Sequence, residues 1–157
     1  MKLKLSAYII IFFILSGCDI QNLKESEPDL ENIMQVEQQA NTAYQNEDWK
    51  AAEVAYLDLT QKAPSQAEPW FRLGNIYART ERLDAAVTAY RNALLRNNEY
   101  SKAWHNLGIV HLRQATTTFK DMLQHTSKDD PLYQRAVYVV NAVSDLMASG
   151  FETTNEN

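Results

Sequence analysis

Few side chains in this sequence could do chemistry: one cysteine and three histidines among 157 residues. Cys18 stands alone, so neither an intrachain disulfide nor a cysteine-based metal site can form. His105 and His111 fall on different faces of one helix, whereas a shared metal needs the i, i+4 spacing that brings two rings together. His125 sits near a helix end, where positive charge is mildly favoured. Asp129-Asp130 precedes Pro131 and reads as a helix cap rather than an acid–base pair. No glycine-rich phosphate loop, serine elbow or Cys–His pair is present. The expectation is a protein that is not an enzyme and holds no metal, so that its function lies in its surface.

The surroundings of Cys18 give its thiol a different use. Lys2 and Lys4 make a basic start, and Leu5 to Leu15 form an apolar run interrupted at Ser6. That run is shorter than the roughly 20 residues that span a membrane and has the length of a signal-peptide core. Leu15-Ser16-Gly17-Cys18 resembles the bacterial lipobox. The resemblance implies a signal peptide over 1–17, a diacylglycerol thioether on Cys18 and cleavage just before it. A nucleophilic sulfur is needed for the first step and small neighbours for the second. The covalent lipid on Cys18 is then the sole expected cofactor, and several acyl chains on one residue give stable anchoring. Asp19 follows directly. Lipoproteins of enteric bacteria with aspartate there are retained in the inner membrane, so Asp19 is the sorting residue, and the expected location is the periplasmic side of that membrane.

Residues 18–32 comprise the lipidated Cys18 and fourteen residues that are acidic, contain Pro28 and lack a sustained apolar period, so they read as a flexible tether. Fourteen such residues reach about 20 Å on average and stretch to about 50 Å. The whole chain carries a net charge of −5 with 45% hydrophobic residues. That suits one small domain. The acidic balance, with no Lys/Arg run beyond the first few residues, argues against nucleic acid as a partner.

The elements that must carry the surface are legible from periodicity. Trp70, Leu73 and Tyr77 share one helix face, and Leu83, Ala86, Tyr90 and Ala93 share another. Arg79-Thr80-Glu81-Arg82 makes a polar corner between them, and Gly74 lets the two helices approach to roughly 8–10 Å. Trp70, Leu73, Gly74, Tyr77, Ala86, Tyr90 and Ala93 resemble a complete tetratricopeptide repeat (TPR), whose period is about 34 residues. One period earlier, Trp49, Ala52 and Tyr56 repeat the second helix, while Val36, Gln39, Ala40 and Ala43 make a weaker first helix that breaks at Asn46-Glu47-Asp48. One period later, Trp104, Leu107, Gly108 and His111 repeat the first helix, with His111 in a core place. Lys120 and Gln124 then break the pattern.

Two arrangements fit this third unit. Ala115, Phe119 and Met122 could form an early return helix, which leaves almost no turn. Alternatively one helix runs to about His125 and returns as Pro131–Ala148, at the cost of three β-branched residues, Thr116-Thr117-Thr118, inside a helix. The stop and start at Ser127 to Pro131 favours the second, with Gly150 as the C-cap. The fold class is therefore all-α: a short α-solenoid of about three helical hairpins, the last elongated. Its TPR domain covers 33–148, with repeats over 33–66, 67–100 and 101–148, and 149–157 form a tail.

The resemblance also implies a binding surface. In TPR proteins the concave face is lined mainly by the first helix of each pair. Carried over by position, the groove here is Asn41, Tyr44, Phe71, Asn75, Ala78, Lys102, His105 and Ile109, flanked by Met34, Glu37, Glu68 and Leu112. One TPR subtype clamps a partner's C-terminal carboxylate with five residues. Only Asn41 and Lys102 match it; Glu37, Arg72 and Asn106 depart, and Glu37 would repel a carboxylate. The expected function is a protein–protein adaptor or scaffold in a cell-envelope assembly (secretion, pilus or polysaccharide machinery), with envelope proteins or an extended peptide as partners. The alternative is a self-associating structural lipoprotein whose last hairpin forms a homodimer.

Overall fold

A computed structural model describes residues 30–151. The signal peptide, Cys18, Asp19 and most of the tether lie outside the described residues. Six α-helices follow in order: α1 (Leu30–Gln45), α2 (Trp49–Lys62), α3 (Glu68–Arg79), α4 (Leu83–Arg96), α5 (Ser101–His125) and α6 (Pro131–Leu146). Each odd-numbered helix pairs with the next in an antiparallel hairpin, and α2 packs on α3 as α4 packs on α5. The described residues contain no strand, and none of their helices is long and apolar enough to cross a membrane.

The turns inside the first two hairpins are built alike without glycine. Glu47 and Glu81 both adopt left-handed backbone, at φ 57° and 59°. The following amides, of Asp48 and Arg82, reach back to the carbonyls of Ala43 (2.9 Å) and Tyr77 (2.8 Å). This is the helix-ending geometry that satisfies orphan carbonyls and usually takes glycine. Asp48 then caps α2 by accepting from the Ala51 amide at 3.1 Å. Asp130 caps α6 by accepting from the Leu132 amide at 2.7 Å, with Pro131 in the first turn.

Two apolar clusters hold the stack. One joins α1, α2 and α3 through Ala40, Tyr56, Leu59, Leu73 and Ile76. The other joins α3, α4 and α5 through Phe71, Tyr90, Ala93, Leu107 and Val110. At Gly74 α3 lies close against Tyr90 of α4, since a Cβ there would lie 2.4 Å from Tyr90 Cε1. α3 thus faces one cluster on each side, which is why its stripes are the most complete in the chain.

The third hairpin departs from the pattern by its long first helix. α5 has 25 residues, or about 37 Å at 1.5 Å per residue. Its threonines are accommodated by bonding backwards: Thr116 to the Leu112 carbonyl (2.8 Å), Thr117 to Arg113 (3.1 Å) and Thr118 to Gln114 (3.1 Å). Such bonds occupy hydroxyls that would otherwise compete with the helix. Val143 of α6 and Met147 of the turn after it border one cavity with Arg113, Thr116 and Lys120 of α5. The first half of α5 is therefore left uncovered on that repeat's own return side. Gly108 faces open space, and Trp104 is 56% exposed.

Three expectations change accordingly. His111 is exposed rather than packed, with Nδ1 3.2 Å from Gln114 Oε1, because no return helix lies opposite it. The first helix begins at Leu30, so Leu30 to Asn32 belong to α1 and not to the tether. Gly150 is no C-cap: α6 ends at Leu146 and continues as a π-helical turn, Met147–Phe151.

Candidate peptide-binding face

The first helices of the first two hairpins each carry an asparagine that accepts a tyrosine hydrogen bond from the return helix. Tyr56 donates its hydroxyl hydrogen to Asn41 Oδ1 at 2.7 Å, and Tyr90 donates to Asn75 Oδ1 at 2.8 Å. Asn75 Oδ1 also accepts from Asn106 Nδ2 at 2.9 Å, which ties α5 to α3. Burial pushes the Tyr56 hydroxyl up to about 12, so it stays a donor at any ordinary pH.

These contacts redistribute the residues placed in the groove by position. Phe71 is 3% exposed, with its ring 4.8 Å from Tyr100 and 6.0 Å from Tyr90. Asn75 is 4% exposed and Ile109 is also buried. Tyr44 is buried, edge-on to Trp49 at 5.4 Å and to Tyr56 at 6.1 Å. Ala78 is half-buried, and its carbonyl accepts from Arg113 Nη1 at 3.0 Å. His105 is half-buried, whereas Asn41 and Lys102 are exposed. The continuous open apolar strip expected from Tyr44, Phe71, Ile109 and Leu112 is therefore absent, because three of the four belong to the packing of the stack and Leu112 is half-buried.

What stays open is cationic. A cavity of about 370 Å³ is lined by Tyr44, Gln45, Glu47, Trp49, Arg72, Arg79 and Lys102. Arg72 lies over the Tyr44 ring at 5.0 Å, and its Nε donates to Glu68 Oε1 at 2.7 Å. Arg79 lies over the Trp49 ring at 5.4 Å. Glu68 also accepts from the Tyr100 hydroxyl. Sequence reasoning missed Arg79 and Trp49, both of which it assigned to turns or packing. The signal was there: Arg72 and Arg79 are seven residues apart, two turns of helix, and so share a face.

A second charged feature is structural. Arg82 Nη1 and Nη2 grip Glu53 Oε1 and Oε2 at 2.9 and 2.6 Å, joining the corner after α3 to α2. The Arg82 hydrogen bonds and charge, with a Tyr77 hydrogen bond, outweigh partial burial and hold the Glu53 carboxyl below its ordinary value. Among the described residues no group of three His, Cys, Asp or Glu side chains could hold a metal ion.

Residues 37–101 match the family model of the tetratricopeptide repeat. Those residues are tetratricopeptide repeats. The TPR helices are also similar in fold to a solved structure, the TPR2B-domain:pHsp70 complex of yeast Sti1, with a TM-score of 0.51. That similarity covers 73% of this chain and 98% of the other at 12% sequence identity. No curated protein matches this TPR chain.

Proposed function

We propose that this TPR protein is a lipid-anchored adaptor on the periplasmic side of a bacterial membrane, binding another envelope protein through the concave face of α1, α3 and α5. A TPR stack is an interaction module in general, and its fold alone names no partner. The observation that carries the reading is the open cavity lined by α1, the turn after it, the start of α2, α3 and α5, beside helices locked in place by the Asn41 and Asn75 hydrogen bonds. The anchor rests on Leu15-Ser16-Gly17-Cys18, the inner-membrane location on Asp19, and the assembly served is a secretion, pilus or polysaccharide machine. The test is photo-crosslinking in cells from a reactive residue at Lys102 or Asn41, with an exposed site on the outer helix α4, Thr88, as control. Crosslinks to one envelope protein from the inner sites alone are expected. Crosslinks from Thr88 only would overturn the assignment.

A second reading has its own support. α6 fully buries only Ala136 and exposes Leu132, Tyr138 and Leu146, so this helix offers an apolar surface to a second copy. Light scattering of the detergent-solubilised chain decides, a strict monomer at high concentration removing it.

A further inference from the structure

We propose that the first half of α5 is the seat for α6 of a second copy of this chain, so that two copies pair by laying their last helices on one another. This rests on the reading of α6 as a self-association surface and names where on the second copy that helix lands. The second repeat shows what such a seat holds when filled. There Tyr90 of the return helix lies so close over Gly74 that a Cβ at Gly74 would come within 2.4 Å of its ring. Trp104, Gly108, His111 and Ala115 make the corresponding face of α5, and all four are exposed. Among the described residues a Cβ at Gly108 would meet nothing within 4 Å. The chain's own α6 leaves this face bare. It starts beyond His125 and ends at Leu146, with Val143 and Ser144 bordering Arg113, Thr116 and Lys120 further along α5.

The occupant that fits such a seat is an amphipathic helix with an aromatic ring on its open face. α6 is apolar on two faces. One of them, with Ala136 buried, packs on α5 of its own chain. The other carries Leu132, Arg135, Tyr138, Ala142 and Leu146 at three- and four-residue steps, which places them on one stripe. All five are exposed, and Tyr138, in the middle, is 74% exposed. The lengths agree: Trp104 to Ala115 and Arg135 to Leu146 each span about 17 Å of helix axis.

Charge complementarity gives the direction. Trp104 Nε1 donates to the Asn98 carbonyl at 2.8 Å, which holds the loop bearing Glu99 at the start of the seat. Glu99 and Arg135 are both exposed, and among the described residues neither side chain has an ion-pair partner. Pairing them lays the incoming α6 parallel to the α5 beneath it, with Tyr138 over Trp104 and Gly108 and with Leu146 at Ala115. Within one chain α6 runs antiparallel to α5, so this seating makes the α5 helices of the two copies antiparallel. A two-fold axis across the helices meets that condition for both copies at once. Each copy gives one helix and fills one seat, so the contact closes at two. One helix face per copy is a small interface, and the dissociation constant should be on the order of 10 µM.

The test is light scattering of the detergent-solubilised full chain up to about 100 µM, where a dimer is expected. Gly108→Leu puts a side chain into the seat and should weaken pairing by about tenfold or more. Glu99→Arg and Arg135→Glu should each weaken it about three- to tenfold, and the chain carrying both should regain most of the wild-type affinity. Gly108, Glu99 and Arg135 are all exposed, so circular dichroism should show each variant folded. A photo-reactive residue in place of Tyr138 should crosslink to residues 104–115 of the other copy, the two copies being told apart by isotope labelling. A dimer indifferent to Gly108→Leu, a charge exchange that restores nothing, or a crosslink from position 138 to α5 of the same chain would each overturn the proposal. Failure here is separable from failure of α6 as a surface. A dimer lost in Tyr138→Gln but unchanged in Gly108→Leu keeps the α6 reading and removes the seat, while a strict monomer removes both.

Discussion

Tyr90 donates its hydroxyl hydrogen to Oδ1 of Asn75 at 2.8 Å across the α3–α4 hairpin, and one repeat earlier Tyr56 makes the same bond to Asn41 at 2.7 Å. The aromatic ring that fills the hairpin core thus also locks a polar residue of the concave face. Packing and surface are coupled by one atom pair in each of the first two repeats. The third repeat has Ile109 and Gln124 at the corresponding places and loses the bond together with its regular return helix.

The two pairs differ in burial, and that sets their cost. Asn75 is buried and serves two donors, while Asn41 is exposed to water. Asn75→Ala should lower unfolding free energy by about 2 kcal/mol and Asn41→Ala by under about 1 kcal/mol, because water replaces the acceptor only at the second site. Urea denaturation of both variants, with Tyr90→Phe to complete a double-mutant cycle on the first, measures the difference. Equal costs would show that the buried pair carries no special share.

The two glycines of the repeated Leu-Gly motif should respond in opposite directions. A Cβ at Gly74 would sit 2.4 Å from Tyr90 Cε1, so Gly74→Ala must displace a buried ring. The expected loss is about 1–3 kcal/mol, as for other overpacked cores. Gly108 meets nothing within 4 Å, so Gly108→Ala should gain up to about 1 kcal/mol from helix propensity alone. Thermal melts of the two variants check the signs.

Glu53 gives the fold a measurable acid dependence. Its folded carboxyl is held below the ordinary value of 4.5, chiefly by the Arg82 hydrogen bond. The pair therefore stabilises the fold fully above that pH and loses its contribution as pH falls through the folded value. Since Arg82 is 45% exposed, solvent screening limits the effect to about 1 kcal/mol or less. The stability difference between wild type and Glu53→Gln should be present at neutral pH and shrink toward zero in acid. A difference that grows on acidification would mean that the carboxyl is not paired in the folded state.

Most of the fold was legible because it follows from local periodicity. The stripes around Trp70 and Tyr90, the break at Asn46-Glu47-Asp48 and the stop and start at Ser127–Pro131 each depend on residues near one another in sequence. The long α5 was also readable, and the back-bonding of Thr116, Thr117 and Thr118 explains how its β-branched run is tolerated. The groove was less legible because burial there depends on three helices at once. Phe71 is covered by Tyr100 and Tyr90, from a later loop and helix, and no spacing rule within α3 announces that. His111 failed for the converse reason, since its motif place implied a return helix that the chain puts elsewhere.

The last helix offers a contrast within one element. Ala136 is 1% exposed against α5, whereas Tyr138, two residues on, is 74% exposed. Ala136→Leu should therefore overpack the hairpin and cost about 1–3 kcal/mol. Tyr138→Gln and Leu132→Gln should leave unfolding free energy within about 0.5 kcal/mol, because neither side chain leaves much apolar contact behind. If α6 joins two copies, those same polar substitutions should lower the mass seen by light scattering at high concentration while the melting temperature at low concentration stays put. A fall in stability at every concentration would instead place Tyr138 and Leu132 inside the folded hairpin, against their exposure.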